Sequence, residues 1–296
     1  MARAIHPGNL SDRDVDAVVD RVVARVQRER QLVAVPPDPV LRGTWQDQTA
    51  LKASLGLLMD AGASRIGTDG SAPPDAAAIA AAIDHTLLKP DATRAEIVKV
   101  CDEARKHSFA SVCVNSTWIR LVAQLLAGSR VMPICVVGFP LGAMSTPGKV
   151  AETLQSIEDG AAEIDMVVNI GALKGGELTV VYEDIAAVVA AAQGRPVKVI
   201  LETAMLDRDQ KIAACVISKA AGAAFVKTST GFGGGGATVE DVQLMRAVVG
   251  PDMGVKASGG IRNTEIARKL LAAGADRLGA SASVAIVRGE TGKGAY

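Results

Sequence analysis

Short apolar segments of strand length alternate with helix-length segments between residues 76 and 288. Eight such segments recur at intervals of roughly 22 to 33 residues, at Ile83, Val112, Ile134–Val137, Ile164–Val168, Val197–Leu201, Phe225–Val226, Val255 and Leu278. Strands that alternate with helices pair in parallel through crossover helices. Eight units of this size suit a closed barrel of about 200–250 residues. The sequence therefore predicts an α/β fold, a (β/α)8 TIM barrel over residues 76–288.

A repeated Gly-Ala step supports this repeat of structural units. It occurs in Asp159-Gly-Ala, Ala221-Gly-Ala and Ala273-Gly-Ala, each time just before a predicted strand. Glycine readily takes the left-handed conformation that ends a helix, so each step predicts the end of one helix. A fourth copy, Ala61-Gly-Ala, is not followed by a strand. We interpret it as the end of a helix that packs on the barrel, within a linker region at residues 36–75.

The first 35 residues predict an amphipathic helix, the N-terminal helical extension of the barrel. Six valines lie on one helical stripe, at Val15, Val18, Val19, Val22, Val23 and Val26. The stripe has two interpretations: it packs on the barrel or a second copy, or residues 10–30 dock on a partner such as a bacterial microcompartment shell or cargo protein. At the other end of the chain, residues 289–296 are predicted to be a flexible tail.

Composition excludes several classes of function. Lys and Arg together count 32, as do Asp and Glu, so no basic excess favours a nucleic-acid partner. The longest apolar run is broken by Gly138 and Pro140, far short of the roughly 18–20 residues of a membrane span. Four cysteines lack close spacing and three histidines form no ligand pair, so we expect no metal. A cytoplasmic protein is predicted.

Charged residues within the predicted strands are the strongest indication of chemistry, because lysine and aspartate are rarely buried without cause. Period-two alternation places Asp165 on the face opposite its apolar neighbours. Lys227 and Lys256 lie at matching places on neighbouring strands, and Lys198 and Glu202 share one face of the strand before them. Functional residues of barrels collect at the carboxyl ends of the strands, so these side chains predict an active site.

The lysine pair predicts a free amine. Adjacent strands lie about 4.8 Å apart, so two inward-facing nitrogens can approach to ~6 Å. At an effective dielectric of ~20 their repulsion costs about 2.8 kcal/mol, or roughly two pKa units, and burial acts in the same direction. A neutral lysine can form a Schiff base, with Asp165 as proton shuttle. The alternative is a structural network in which Asp165, Glu202 or Glu163 pairs with both lysines.

Glycine-rich turns follow the last two predicted strands. Ser258-Gly259-Gly260 and Gly279-Ala-Ser281 expose backbone N–H groups where barrels bind phosphate, and Thr228-Ser-Thr-Gly231 lies beside them. These turns predict a phosphate site. The later run Gly233–Gly236 is interpreted as a flexible loop rather than part of the ligand site.

Five blocks resemble the deoxyribose-phosphate aldolase family, in the family's order. They are Asp84-His-Thr-Leu-Leu-Lys-Pro, Val136-Val-Gly-Phe-Pro-Leu-Gly, Glu163-Ile-Asp-Met-Val-Val-Asn-Ile-Gly, Val226-Lys-Thr-Ser-Thr-Gly-Phe and Val255-Lys-Ala-Ser-Gly-Gly-Ile-Arg. The resemblance implies a class I aldolase without metal or cofactor. Such an enzyme reversibly cleaves 2-deoxy-D-ribose 5-phosphate, a small sugar phosphate, to acetaldehyde and D-glyceraldehyde 3-phosphate.

The resemblance also implies roles for individual residues. Lys227 matches the Schiff-base lysine, Lys256 the lysine that perturbs it, and Asp165 the proton relay. Asp84 matches a polar residue near the substrate, and Tyr296 matches a C-terminal tyrosine that moves protons in some members. The phosphate cradle corresponds to Gly259, Gly260, Gly279 and Ser281. We expect a homodimer or a higher homo-oligomer.

Two other functions are open on the sequence alone. One is a class I aldolase acting on another sugar phosphate, which a ketone donor would reveal. The other is a barrel retained as a scaffold or assembly component, which would keep its fold but form no imine. Burying charged groups for packing alone is costly, and this cost argues against the scaffold.

Overall fold

In the computed structural model, the described residues are 74–292 and Ala24. Across these residues, parallel strands pair in chain order and close into a barrel, because β1 pairs with both β2 and β8. The eight strands of the described part are β1 (Ile83–Leu87), β2 (Ser111–Val114), β3 (Met132–Val137), β4 (Glu163–Val167), β5 (Val197–Ile200), β6 (Phe225–Lys227), β7 (Gly254–Ser258) and β8 (Arg277–Ala280). The predicted (β/α)8 barrel is confirmed.

Helices follow or flank each strand. Those in the described part are α1 (Ala76–Ala82), α2 (Arg94–His107), α3 (Ile119–Leu126), α4 (Thr146–Glu158), α5 (Ile170–Gly175), α6 (Leu178–Ala191), α7 (Arg208–Ala220), α8 (Val239–Val249), α9 (Thr264–Ala272) and α10 (Ser283–Arg288). Capping boxes start two of them, with Thr93 and Glu96 at α2 and Asp207 and Gln210 at α7. Local sequence thus marks where these crossover helices begin.

The Gly-Ala steps end helices as predicted. Gly160, Gly222 and Gly274 have φ values of +102°, +83° and +110°, and each lies shortly after the last residue of α4, α7 or α9. A side chain is strained at such φ values, so glycine allows the chain to turn directly into the next strand.

Two separate apolar clusters hold the barrel together. The larger lies between the strands and the helices and includes the outward-facing Ile164 and Met166. The smaller consists of Leu88, Cys113, Ile134 and Val136, and Phe139 packs against it. The side chains of β2 and β3 in this smaller cluster point inward, since Val136 pairs with the inward-facing Asp165. The interior of the barrel is therefore apolar on one side and charged on the other.

Several predictions concern residues outside the described ones. Of the predicted helix within residues 1–35, the structure describes Ala24, which is helical and exposed. The linker, apart from residues 74 and 75, and Tyr296 at the end of the predicted tail also lie outside the described residues. No helix among the described residues is both long enough and apolar enough to cross a membrane.

Candidate active site

The strand register brings the predicted catalytic side chains together inside the barrel. Lys227, the last residue of β6, pairs directly with Lys256 of β7. Asp165 of β4 pairs with Lys198 of β5. All four side chains are buried, with Lys227 the most exposed at 3%. Adjacent inward positions on neighbouring strands therefore place three lysines around one carboxylate.

Asp165 is the centre of this cluster. Its Oδ2 atom accepts hydrogen bonds from Nζ of Lys227 at 2.8 Å and from Nζ of Lys256 at 2.7 Å. Its Oδ1 atom accepts a third from Nζ of Lys198 at 3.0 Å. Because two nitrogens share one oxygen, Lys227 and Lys256 can be no farther apart than these two distances combined. The close approach predicted for the lysine pair is present.

A second carboxylate holds Lys256 from the other side. Oδ2 of Asp84 lies 2.5 Å from Nζ of Lys256, and its Oδ1 accepts hydrogen bonds from Arg277 and from the hydroxyl of Ser111. Asp84 is fully buried. The family resemblance implies a position near the substrate for Asp84, and in the structure this residue contacts Lys256, Arg277 and Ser111.

The two paired lysines have opposite pKa shifts. Burial lowers the pKa of Lys227, and repulsion from Lys256 adds to this, although the attraction of Asp165 opposes both. Burial also acts against the charge of Lys256, but Asp165 and Asp84 outweigh it and raise the pKa of Lys256. Two carboxylates hold the proton on Lys256, whereas a single shared carboxylate holds it on Lys227.

Burial likewise disfavours the charge of Asp165, but three lysines outweigh it and keep the pKa of this carboxyl well below its usual range. The same balance lowers the pKa of Asp84, where Lys256 and Arg277 are the main cations. Both carboxylates are therefore ionised at neutral pH, and each can accept a hydrogen bond throughout a reaction.

These contacts correct one expectation and qualify another. Burial, rather than repulsion by Lys256, is the larger cause of the lowered pKa of Lys227. The alternative ion-pair network is also present, since Asp165 binds both lysines. Glu202 is not part of it, because its Oε2 accepts hydrogen bonds from the backbone N–H and hydroxyl of Thr230. The ion-pair network and the lysine with the lowered pKa therefore exist together in one cluster.

A glycine-lined cavity of about 360 Å³ lies beside the ends of the last strands. Of the residues predicted to bind phosphate, those on its wall are Gly231, Gly259, Gly260, Gly279 and Ser281. Thr228 and Ser258 are not among the residues that line the cavity. They join the end of β6 to β7 through two hydrogen bonds of 3.0 Å. Five of the residues predicted to bind phosphate therefore line the cavity, while Thr228 and Ser258 connect the strands next to it.

The later glycine run, which the sequence analysis interpreted as a flexible loop rather than part of the ligand site, lies beside the residues predicted to bind phosphate. Gly234, Gly235 and Gly236 line the same cavity. A Cβ atom on Gly236 would lie 2.5 Å from the carbonyl oxygen of Gly259, and the N–H of Ala237 donates to that oxygen at 3.0 Å. Close backbone packing, which requires glycine here, joins the run to the turn after β7.

Sequence reasoning assigned no role to two residues, Arg262 and Arg277. Arg262 is exposed and lines the cavity, and the motif that carried Gly259 and Gly260 already contained it. Arg277 contacts the charged cluster from the start of β8, where nothing local distinguishes it from a surface charge. Glu163, which the sequence offered as a partner of the lysine pair, binds Lys198 and Arg277 instead. Among the described residues, no group of three or more His, Cys, Asp or Glu side chains is arranged to hold a metal ion.

Comparison with known proteins gives a consistent result. A model of the DeoC/LacD aldolase family matches residues 78–292. A deoxyribose-phosphate aldolase of Halalkalibacterium halodurans is 57% identical over 220 residues, which are 74% of this chain and 98% of the relative.

Two solved structures agree with this match. A crystal structure of a candidate deoxyribose-phosphate aldolase from Coccidioides immitis is 43% identical, with a TM-score of 0.72 over 80% of this chain and 96% of that one. A tetrameric deoxyribose phosphate aldolase from Aeropyrum pernix is 32% identical, with a TM-score of 0.68 over 72% of this chain and 91% of that one. From the barrel, the buried lysine pair and these similarities together, we conclude that the chain belongs to the DeoC/LacD family of aldolases, a family of lyases.

Proposed function

We propose that this enzyme reversibly cleaves 2-deoxy-D-ribose 5-phosphate to acetaldehyde and D-glyceraldehyde 3-phosphate through a Schiff base on Lys227. The observation that carries the proposal is the asymmetry of the lysine pair. Burial and Lys256 lower the pKa of Lys227, while Asp165 and Asp84 raise that of Lys256. A lysine must lose its proton before it can attack an aldehyde, and this favours Lys227 as the nucleophile.

The reaction begins with attack of the Lys227 amine on the C1 aldehyde of the open-chain sugar. The carbinolamine then loses water to form the imine, and this step consumes a proton. Asp165 lies within hydrogen-bond reach of both lysines, so it is suited to give protons to the reacting centre and take them from it, while Lys256 keeps its own proton. Lys256 serves as the permanent cation next to the reaction.

Cleavage occurs between C2 and C3 of the sugar. The C3 hydroxyl passes its proton to the Asp165 relay and becomes the aldehyde of glyceraldehyde 3-phosphate, while the bonding electrons move to C2 and form an enamine. Protonation of C2 and addition of water to the imine release acetaldehyde and restore Lys227. The water lost in forming the imine is returned in this last step, so the overall cleavage is balanced.

The glycine-lined cavity suits the phosphate group. Gly259, Gly260 and Gly279 line this cavity without side chains of their own, so their backbone is suited to close contact with phosphate oxygens, and Arg262 supplies a cationic side chain on the same wall. Asp84 is fully buried against Lys256, so we assign it to the positioning of that lysine rather than to substrate. Thr228 and Ser258 hold the two strand ends beside the cavity.

Reductive trapping tests the assignment. Borohydride added with acetaldehyde should fix a two-carbon adduct on Lys227, which mass spectrometry of proteolytic peptides locates. Lys227→Met should abolish both the adduct and cleavage. Lys219→Met is the matched control, because the pKa of Lys219 is also lowered by burial but this residue lies on α7, outside the barrel. Full cleavage by Lys227→Met would overturn the proposal.

We further propose that the enzyme acts in the cytoplasm as a homo-oligomer. The relative from Aeropyrum pernix is described as tetrameric, and sedimentation velocity would measure the state of this chain. Docking of residues 10–30 on a microcompartment protein is the more specific proposal. A chain without residues 1–35 should then keep its aldolase activity but lose its cellular distribution. Unchanged distribution would overturn the docking role.

A further inference from the structure

The ion pairs around Asp165 continue until they close into a ring. Lys256 joins Asp165 to Asp84, Arg277 joins Asp84 to Glu163 at 3.5 Å from its Oε2 atom, and Lys198 joins Glu163 back to Asp165. Around the ring the order is Arg277, Asp84, Lys256, Asp165, Lys198 and Glu163. Cations and carboxylates therefore alternate around the inside of the barrel. We call this set the charge ring.

The charge ring is neutral without Lys227. Three cations alternate with three carboxylates, and the side chains range from fully buried to 12% exposed at Arg277. Lys227 binds Asp165 from outside the ring and would add a fourth positive charge. An unbalanced charge in a poorly solvated interior is costly, so the cluster favours the loss of one proton. Lys256, Lys198 and Arg277 each contact two carboxylates of the ring, whereas among the described residues Lys227 pairs with Asp165 alone, so Lys227 is the cation that is least strongly held.

We propose that the far side of the charge ring, formed by Arg277 and Glu163, controls whether Lys227 is an uncharged amine. In the described contacts neither residue touches Lys227 or lines the glycine cavity. Both act through other members of the ring, and they are therefore positioning residues. This inference depends on the proposed role of Lys227 as the nucleophile, and it assigns the state of that nucleophile to residues distant from it.

The groups that face Lys227 come from several strands. Asp165 of β4 attracts its proton, Lys256 of β7 repels it, and Cys113 of β2 is the third group that acts on it. Burial raises the pKa of Cys113 to about 11, so its thiol is uncharged at neutral pH. Removing a charge from the ring therefore changes the potential at Lys227 without a competing titration from Cys113.

Two opposite variants test the proposal. Arg277→Gln removes a cation and should make Lys227 hold its proton more strongly, whereas Glu163→Gln removes a carboxylate and should have the opposite effect. The measurement is the amount of acetaldehyde trapped on Lys227 by borohydride, determined by mass spectrometry over a range of pH, and the midpoint is the pH at which trapping is half-maximal. We expect the midpoint to rise by about one unit in Arg277→Gln and to fall by about one unit in Glu163→Gln. The double variant should return to the original midpoint.

Charge-conserving variants provide the controls. Arg277→Lys and Glu163→Asp keep the charge of the ring. In these two variants the pH midpoint for trapping on Lys227 should stay within a few tenths of a unit of the original value. Shifts of the same sign in the two Gln variants, or none, would overturn the inference. If Arg277→Gln does not fold, Glu163→Gln and the double variant still decide it. Absence of any adduct on Lys227 in the unmodified enzyme would instead refute the proposed function.

Discussion

Lys227 and Lys256 occupy paired positions on neighbouring strands and donate to the same oxygen of Asp165, at 2.8 and 2.7 Å. Their surroundings differ in one respect, because Lys256 also lies 2.5 Å from a second carboxylate, Asp84. Through that contact, two lysines of the same chemistry differ in their charge state: Lys256 is a permanent cation, and Lys227 is an amine that can lose its proton. The functional asymmetry of the site therefore originates in a residue of β1.

Removing the permanent cation should weaken the nucleophile. Lys256→Met eliminates the repulsion that lowers the pKa of Lys227 and leaves Asp165 more available to it, so the pKa of Lys227 should rise. A rise of about one to two units lowers the free-amine fraction roughly 10- to 100-fold at pH 7. The pH profile of kcat/KM should move to the alkaline side. Lys256→Arg keeps the charge and should move it less; an unchanged profile in Lys256→Met would contradict this account.

Replacing the central carboxylate should impair both chemistry and stability. Asp165→Asn removes the proposed proton relay and should lower kcat by about 10²- to 10⁴-fold. It also leaves three buried lysines without their shared partner, which should cost about 3–5 kcal/mol in the free energy of unfolding. Single-turnover kinetics and urea denaturation measure the two effects. Retention of wild-type kcat by a folded Asp165→Asn enzyme would exclude the relay.

Closing the glycine cavity should affect the phosphate end of the substrate alone. In Gly236→Ala the new methyl would lie 2.5 Å from the carbonyl oxygen of Gly259, so the cavity wall must shift. We expect the KM for 2-deoxyribose 5-phosphate to rise about tenfold, equivalent to about 1.4 kcal/mol, with little change for unphosphorylated 2-deoxyribose. Gly171→Ala is the control, because its nearest contact would be 3.7 Å away. Equal losses on both substrates would argue against a phosphate site here.

A second buried ion pair should be costly to break, although the pair itself should add little to stability and nothing to the chemistry. Lys149 of α4 lies 2.5 Å from Asp184 of α6 and donates to the carbonyl oxygen of Val167 at 2.9 Å, and both side chains are buried. Lys149→Met leaves the carboxylate without its cation and should lower the free energy of unfolding by about 3–5 kcal/mol. The double variant Lys149→Met with Asp184→Leu should recover most of that loss in urea denaturation. An equally unstable double variant would mean that the pair itself is stabilising.

Acid should destabilise the barrel through its buried carboxylates. The pKa values of Asp84 and Asp165 are lowered in the folded protein, so both carboxylates favour the folded state above their unfolded pKa of about 3.9. As the pH falls below that value, the unfolded chain binds protons that the folded one does not, and stability decreases. Urea midpoints between pH 6 and pH 3 should drop accordingly. Asp84→Asn should show a smaller drop; an equal drop would assign the effect to other carboxylates.

Much of this molecule follows from local pattern. The spacing of apolar segments is enough to predict a (β/α)8 barrel, because strand–helix alternation constrains the chain to parallel pairing. Period-two alternation is enough to single out Asp165, since a charge on the inner face of an apolar strand has no local explanation. Lys227 and Lys256 are singled out by their matching places at the ends of two neighbouring strands. The Gly-Ala steps also mark helix ends from local sequence alone, because each helix end depends on the conformation of a single glycine.

Other features depended on the closure of the barrel. Arg277 meets Asp84 because β8 pairs with β1, and Glu163 meets Lys198 because β4 and β5 pair in one particular register. The packing of Gly236 on Gly259 likewise joins two loops distant along the chain. Periodicity assigns each residue a face, but strand pairing assigns it neighbours. The sequence alone therefore determined that Asp165, Lys227 and Lys256 lie inside the barrel. The tertiary structure decided which other charges join them, which of them touch, and which lysine is left as the surplus cation, because only strand pairing brings distant side chains together.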